Sequence, residues 1–210
     1  MPSFFMTQTT LPKQQIIDAL NEVYNINELL KNHYRSFHTK NRSDADLLDI
    51  CTRYLQKKIN LKKHLTPWEN GAILAFIVSY GAYYDICLLD GMNYCHNKFA
   101  LCKELFHIVI ENPEFQSIFS DETIQECVTG GKLSGGASQE FIAEIAAMEY
   151  LFPFKERIKI YKQGNIDFDA IATEYKIPRL MVEKFLTKYR MQSLQVCYKE
   201  SAYKIDETII

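Results

Sequence analysis

The sequence predicts an α+β fold, in which a mostly helical core carries a small antiparallel sheet packed on one apolar helix, with further helices at the N-terminus. Apolar residues recur at helical spacing through much of the chain. A stretch rich in Ile, Val, Phe and Tyr lies between residues 72 and 89, as expected for paired strands. The helix predicted next, from Lys98 to about Ile110, is apolar on nearly every side, which is typical of a core helix.

Composition favours one compact core with a smaller attached unit, because the chain has 210 residues, of which 47% are hydrophobic and 24% charged. The net charge of −2 gives no overall attraction to nucleic acid or acidic membranes. The N-terminus lacks a basic region followed by a long apolar stretch, so no signal peptide is expected. Six cysteines without a CxxC pair then indicate reduced thiols and a cytoplasmic protein. The most apolar run, residues 71–89, contains Asp85 and a central Gly81, which favours a buried hairpin over a membrane span.

Residues 1–65 are predicted to form an N-terminal helical region. Its first helix carries Ile16, Leu20 and Val23 at helical spacing. Ser43 followed by Asp46 resembles a capping box and predicts the start of a second helix. The positive charge of a lysine-rich stretch favours the C-terminus of that helix; its members are Lys57, Lys58, Lys62 and Lys63.

Residues 66–190 are predicted to form the main domain, and 191–210 a C-terminal tail. Two antiparallel strands over 72–79 and 83–89 flank Gly81, and Asn97 is the expected cap of the apolar helix. The glycine-rich loop before residue 137 lacks the GxxxxGK[ST] pattern of a phosphate loop. Ser138 is expected to cap the next helix, which runs to Pro153. A helix over 155–162 that ends at Gly164 and a helical pair over 167–190 complete the domain.

The apolar helix contains Lys103-Glu104-Leu105-Phe106-His107, which keeps most of an HExxH motif. Positions 103 and 107 lie one above the other on a helix, so HExxH presents two imidazoles to one zinc ion and a glutamate to its bound water. Here lysine stands in place of the first histidine. Because a lysine is a cation near neutral pH, it is a poor zinc ligand.

The stretch resembles the ImmA/IrrE family of zinc metallopeptidases, in which a basic-Phe pair, here Lys98-Phe99, leads into the HExxH helix. The segment from Glu140 to Pro153 is similar to the helix that supplies the family's third zinc ligand. Residues 171–182 are similar to a helical pair that follows. The resemblance covers residues 72–189 and implies a zincin-like core. It places Glu104 at the general-base position and His107 and Glu140 at ligand positions, with Lys103 replacing the first ligand.

The resemblance implies a partner, since active family members cut helix-turn-helix repressors of mobile elements or stress genes. With two ligands left where catalytic zinc usually has three, we expect a metal-free pseudopeptidase without a cofactor. The Lys103 ammonium is expected at the metal's place, paired with Glu140 or Glu104. The chain would then bind a regulatory protein partner of the repressor type, as a strand added to residues 83–89. Within that strand, the expected contacts are Tyr83, Tyr84, Asp85 and Ile86.

Two alternatives stay open at the level of the sequence. The chain could be an active zinc metalloendopeptidase with a rearranged ligand set, in which Cys95 or His96 replaces the missing histidine. It could instead be a DNA-binding regulator acting through residues 167–190. The second helix of that pair carries only a thin basic footprint, so nucleic acid is not the expected partner; its charged residues are Arg179, Glu183, Lys184, Lys188 and Arg190.

Overall fold

The predicted α+β fold is confirmed. The computed structural model describes residues 13–34, 40, 42–64, 74–110 and 135–206, with side chains from residue 139 onward in the last range. Within these residues there are eight helices and one three-stranded sheet. In chain order the elements are α1 (Lys13–His33), α2 (Asp44–Leu55), β1 (Lys58–His64), β2 (Ala75–Ser79), β3 (Tyr83–Leu89), α3 (Tyr94–Val109), α4 (Gly135–Leu151), α5 (Phe154–Gln163), α6 (Phe168–Tyr175), α7 (Arg179–Phe185) and α8 (Lys188–Glu200).

The two N-terminal helices form where local signals predict them. The predicted stripe of α1, with Ile16, Leu20 and Val23, is buried in the core. The Ser43 side chain accepts a hydrogen bond from the Asp46 backbone N–H at 3.1 Å and caps α2. This bond satisfies one of the otherwise unpaired N–H groups of the first turn.

The lysine-rich stretch is a strand, so the prediction that it ends the second helix was wrong. Gln56 adopts a left-handed conformation (φ 53°) and ends α2. The chain then turns into β1, which pairs in parallel with β3 from Lys58 opposite Tyr83 to His64 opposite Leu89. The strand conformation of this segment depends on its pairing with a strand about 25 residues away. The lysines indicate only that the segment is exposed to solvent.

The predicted hairpin is present, but the sheet as a whole is mixed. β2 and β3 pair antiparallel around Gly81, whose φ of 76° suits glycine in a tight turn. The start of the first predicted strand, residues 72 and 73, lies outside the described residues. The strand order is β1-β3-β2, so β3 is the central strand.

α3 and α4 form the centre of the molecule. α3 packs against α4, α2 and the sheet, and α4 also packs against α1. Asn93, not the predicted Asn97, caps α3 by accepting from the His96 backbone N–H at 3.0 Å. α4 begins at Gly135, so Ser138 lies inside it rather than at its N-cap. The predicted glycine-rich loop falls mostly at residues 111–134, outside the described residues, and its last glycines, 135 and 136, lie in α4.

The C-terminal helices complete one continuous core. The predicted helix over 155–162 is α5, which ends at a left-handed Gly164, and the predicted helical pair is α6 and α7. The sequence predicted no element beyond residue 190, yet α8 extends to Glu200 and packs on α1 and α7. The core therefore includes residues on both sides of the predicted boundaries at 65 and 190. Among the described helices, none has the length and apolar character needed to cross a membrane.

Candidate functional site

Four side chains from α3 and α4 converge at the contact between these helices. The Lys103 ammonium donates a hydrogen bond to Glu140 Oε2 at 2.7 Å and lies 3.3 Å from Glu104 Oε1. His107 Nε2 lies 3.0 Å from the other oxygen of the Glu140 carboxylate. Residues 103 and 107 meet Glu140 together because they are one helical turn apart. The structure thus brings together all four positions that the resemblance singled out.

The histidine contact is close but poorly directed. His107 Nε2 is buried and, among the described residues, has no well-aligned hydrogen-bond partner despite its short distance to Glu140. The contact is a close approach rather than a well-aligned hydrogen bond, because linearity determines hydrogen-bond strength. The Lys103–Glu140 pair is therefore the better-defined interaction of the cluster.

The charges of the cluster stabilise each other. Burial lowers the pKa of Lys103, but Glu104 and Glu140 outweigh that effect, and the net pKa is raised. Burial raises the pKa of Glu140, but His107 and the Lys103 ammonium outweigh it and hold the net pKa well below its ordinary value. Lys103 is therefore a cation and Glu140 an anion across the neutral range.

Zinc does not fit this set of donors. A protonated lysine has no lone pair to offer, and its charge repels Zn²⁺. One carboxylate oxygen of Glu140 already accepts a hydrogen bond from that ammonium. Within the described part of the chain, no three His, Cys, Asp or Glu side chains meet in an arrangement able to hold a metal ion.

The structure does not bring the two candidate substitute ligands to the cluster. Cys95 and His96 lie in the first turn of α3, about 10–12 Å along the helix axis from Lys103 at 1.5 Å per residue. His96 Nδ1 instead contacts the Asn93 side chain at 2.9 Å.

The predicted partner strand was wrong, because β3 is hydrogen-bonded on both edges, to β1 and β2. A further strand cannot add to a strand whose backbone groups are already paired. Tyr84, Asp85 and Ile86 are buried and Tyr83 is half-buried. Asp85 accepts hydrogen bonds from Lys62 at 2.5 Å and Asn60 at 2.9 Å, so its carboxylate holds β1 in place.

Sequence reasoning missed the contacts that join α7 and α8 to α4 beside the cluster. Lys184 donates to both oxygens of Glu144, one helical turn from Glu140, at 2.7 and 2.5 Å. The Arg190 guanidinium lies 4.1 Å from the centre of the Phe141 ring. The basic residues of the helical pair indicate that acidic or aromatic partners exist. The sequence could not identify these partners, because they lie on α4, far away along the chain.

Glu140→Gln is expected to destabilise the fold at neutral pH, by about 1 kcal/mol because half-exposed ion pairs are screened by water. The pKa of Glu140 is lower in the folded state, so its stabilisation is present above the ordinary carboxyl pKa and is lost as pH falls towards the folded value. Urea denaturation of both proteins at neutral pH and at about pH 3 measures the difference. A difference that is equal at the two pH values would contradict the ion-pair account.

Comparison with known proteins adds little to this picture. No protein-family model and no curated protein matches the chain. One solved structure, a Mycobacterium tuberculosis transcriptional regulator, aligns over 87% of this chain and 54% of its own, with 11% identity and a TM-score of 0.47. The chain thus spans about half the length of that protein. A likeness at this level carries no argument about function.

Proposed function

We propose that this chain is an ImmA/IrrE-like peptidase-fold protein in which the Lys103 ammonium takes the place of the catalytic zinc, and that it binds a regulatory protein of the repressor type from a mobile element or stress response. The observation that supports the proposal is the chain of contacts between α3 and α4 that joins Glu104 to Lys103, Lys103 to Glu140, and Glu140 to His107.

The arrangement of charges is the one expected if a lysine replaced a zinc-ligand histidine in a former metal site. Two carboxylates contact the Lys103 ammonium, and the His107 imidazole contacts the other oxygen of the Glu140 carboxylate. Without that charge, Glu104 and Glu140 would share a partly buried space without compensation, at a large electrostatic cost. Lysine therefore keeps the cluster stable while removing the Lewis acid that peptide hydrolysis of this type requires.

The surface beside Glu140 suits a protein partner. Glu140 is 48% exposed, so the cluster reaches the surface there. Leu180 and Tyr189, exposed by 67% and 70%, lie on α7 and α8, the helices joined to α4 by Lys184 and Arg190. A protein partner that covered these two side chains would gain from removing their apolar surface from water.

The helical pair favours packing over DNA binding. Arg179 is paired with Asp169 at 3.0 Å and Glu183 at 2.7 Å, and Lys184 is paired with Glu144. Burial against aromatic rings lowers the pKa of Arg190. All three basic side chains therefore contact other residues of the same chain. Their charges are less available for contacts with DNA phosphates.

The purified protein is expected to carry only trace zinc after exposure to excess zinc and desalting, measured by elemental analysis. His107→Ala is the matched control, because it removes the remaining imidazole and should leave the trace amount unchanged. One zinc per wild-type chain that disappears in His107→Ala would contradict the proposal and favour the rearranged active peptidase.

A further inference from the structure

The two edges of the sheet differ in charge. Among the described residues, the outer edges of β1 and β2 are both unpaired. β1 carries lysines at 58, 62 and 63, a common protection against unwanted strand pairing. β2, with the sequence Ala-Phe-Ile-Val-Ser, carries no charged residue and no proline, and the chain is uncharged from residue 71 to residue 84. An edge of this kind is a template for another strand.

The register with β3 identifies the backbone groups that face outward. Leu74 accepts from Leu89, and Tyr80 donates to Tyr83, so the even-numbered residues of β2 point their backbone groups towards β3. Ala75, Ile77 and Ser79 therefore direct their N–H and C=O groups to the open edge.

These three residues form a register that is complementary to itself. If two copies pair antiparallel about Ile77, Ile77 lies opposite its counterpart and Ala75 lies opposite Ser79, and all of them present outward groups. The same register sets the exposed Leu74 opposite the exposed Tyr80 of the second copy. Phe76 lies opposite Val78, an aromatic and β-branched pair of the kind that stabilises antiparallel strands.

We propose that β2 is a dimer interface, where a second copy of this chain adds its own β2 to give a continuous six-stranded sheet with two-fold symmetry. Two copies of β2 can pair without bringing like charges together, whereas two β1 edges would bring lysines together.

Sedimentation equilibrium of the full chain tests the interface. The wild type is expected at twice the 24.5 kDa chain mass. Ser79→Pro removes only an edge-directed N–H, which proline tolerates at an open edge, so the β2–β3 bonds remain. In a two-fold interface each copy loses the hydrogen bond donated by residue 79, so the dimer loses two. The dimer dissociation constant should therefore rise by more than about tenfold.

Tyr80→Lys is a second test, because it leaves the backbone unchanged and places a charge opposite Leu74 of the second copy. It should also weaken the dimer, whereas Leu61→Lys on the exposed β1 edge should leave the mass unchanged. Circular dichroism spectra identical to wild type establish folding of each variant. A monomeric wild type, or a dimer that survives both β2 substitutions in folded protein, would overturn the inference.

Discussion

Lys103→His is expected to give the protein one tightly bound zinc ion per chain. The substitution replaces the ammonium with an imidazole on the same helical face as His107, one turn away, and it releases the Glu140 oxygen that now accepts from Lys103. Two imidazoles and a carboxylate form a common ligand set for catalytic zinc. Glu104, next to position 103, would then stand at the general-base position that the resemblance implies.

Calorimetric titration with zinc and thermal unfolding measure the gain. At free zinc 100-fold above the dissociation constant, linkage adds about 2.7 kcal/mol to the free energy of unfolding. Lys103→Met is the matched control, since it removes the charge without adding a ligand and should bind no zinc. Lys103→His combined with His107→Ala should lose the site again. If the Lys103→His protein folds but takes up no zinc, the cluster around residue 103 is not a former metal site.

Arg157→Met is expected to destabilise the fold by about 3–5 kcal/mol, the usual cost of leaving a buried charge without its partner. Arg157 is fully buried, and its Nη2 donates to Glu149 Oε2 at 3.1 Å and to the Tyr198 hydroxyl at 2.9 Å. Its Nε donates to the Phe152 carbonyl at 2.9 Å. Without Arg157, the buried Glu149 carboxylate keeps hydrogen bonds from Tyr198 and the Phe154 N–H but loses this cation.

Two controls separate charge from packing at Arg157, and urea denaturation measures each. Burial raises the pKa of Glu149 against the opposing charge of Arg157, so the cost of Arg157→Met should shrink as acid protonates Glu149. Arg157→Met combined with Glu149→Gln should recover part of the stability, because the buried carboxylate that has lost Arg157 is then neutral. A double variant that is less stable than Arg157→Met alone would contradict this reasoning.

Local signals predicted local structure. The Ser43 cap, the Gly81 turn and the Gly164 terminator depend on a few adjacent residues, and each lies where the sequence indicates. β1 was missed because its conformation depends on parallel pairing with β3, which no pattern within residues 58–64 reports. α8 was missed although its buried residues Met191, Leu194 and Tyr198 recur at helical spacing, a signal that the sequence does carry.

The candidate site was predictable only in part. The one-turn spacing of residues 103 and 107 places them together, and the resemblance added Glu140 from a helix 37 residues away. The Lys184–Glu144 and Arg190–Phe141 contacts depend on how α7 and α8 pack on α4, which single-sequence patterns do not specify. The central position of β3 likewise could not be predicted, because the sequence did not predict β1, the third strand of the sheet.

The central claim is that the Lys103 ammonium lies where a peptidase of this kind would hold zinc. X-ray diffraction measured at the zinc absorption edge, from crystals grown with zinc, tests it most directly. We expect no anomalous density between His107 and Glu140 in the wild type, with the Lys103 ammonium hydrogen-bonded to Glu140. A zinc peak bound by His107 and Glu140, with Lys103 displaced from Glu140, would contradict the account.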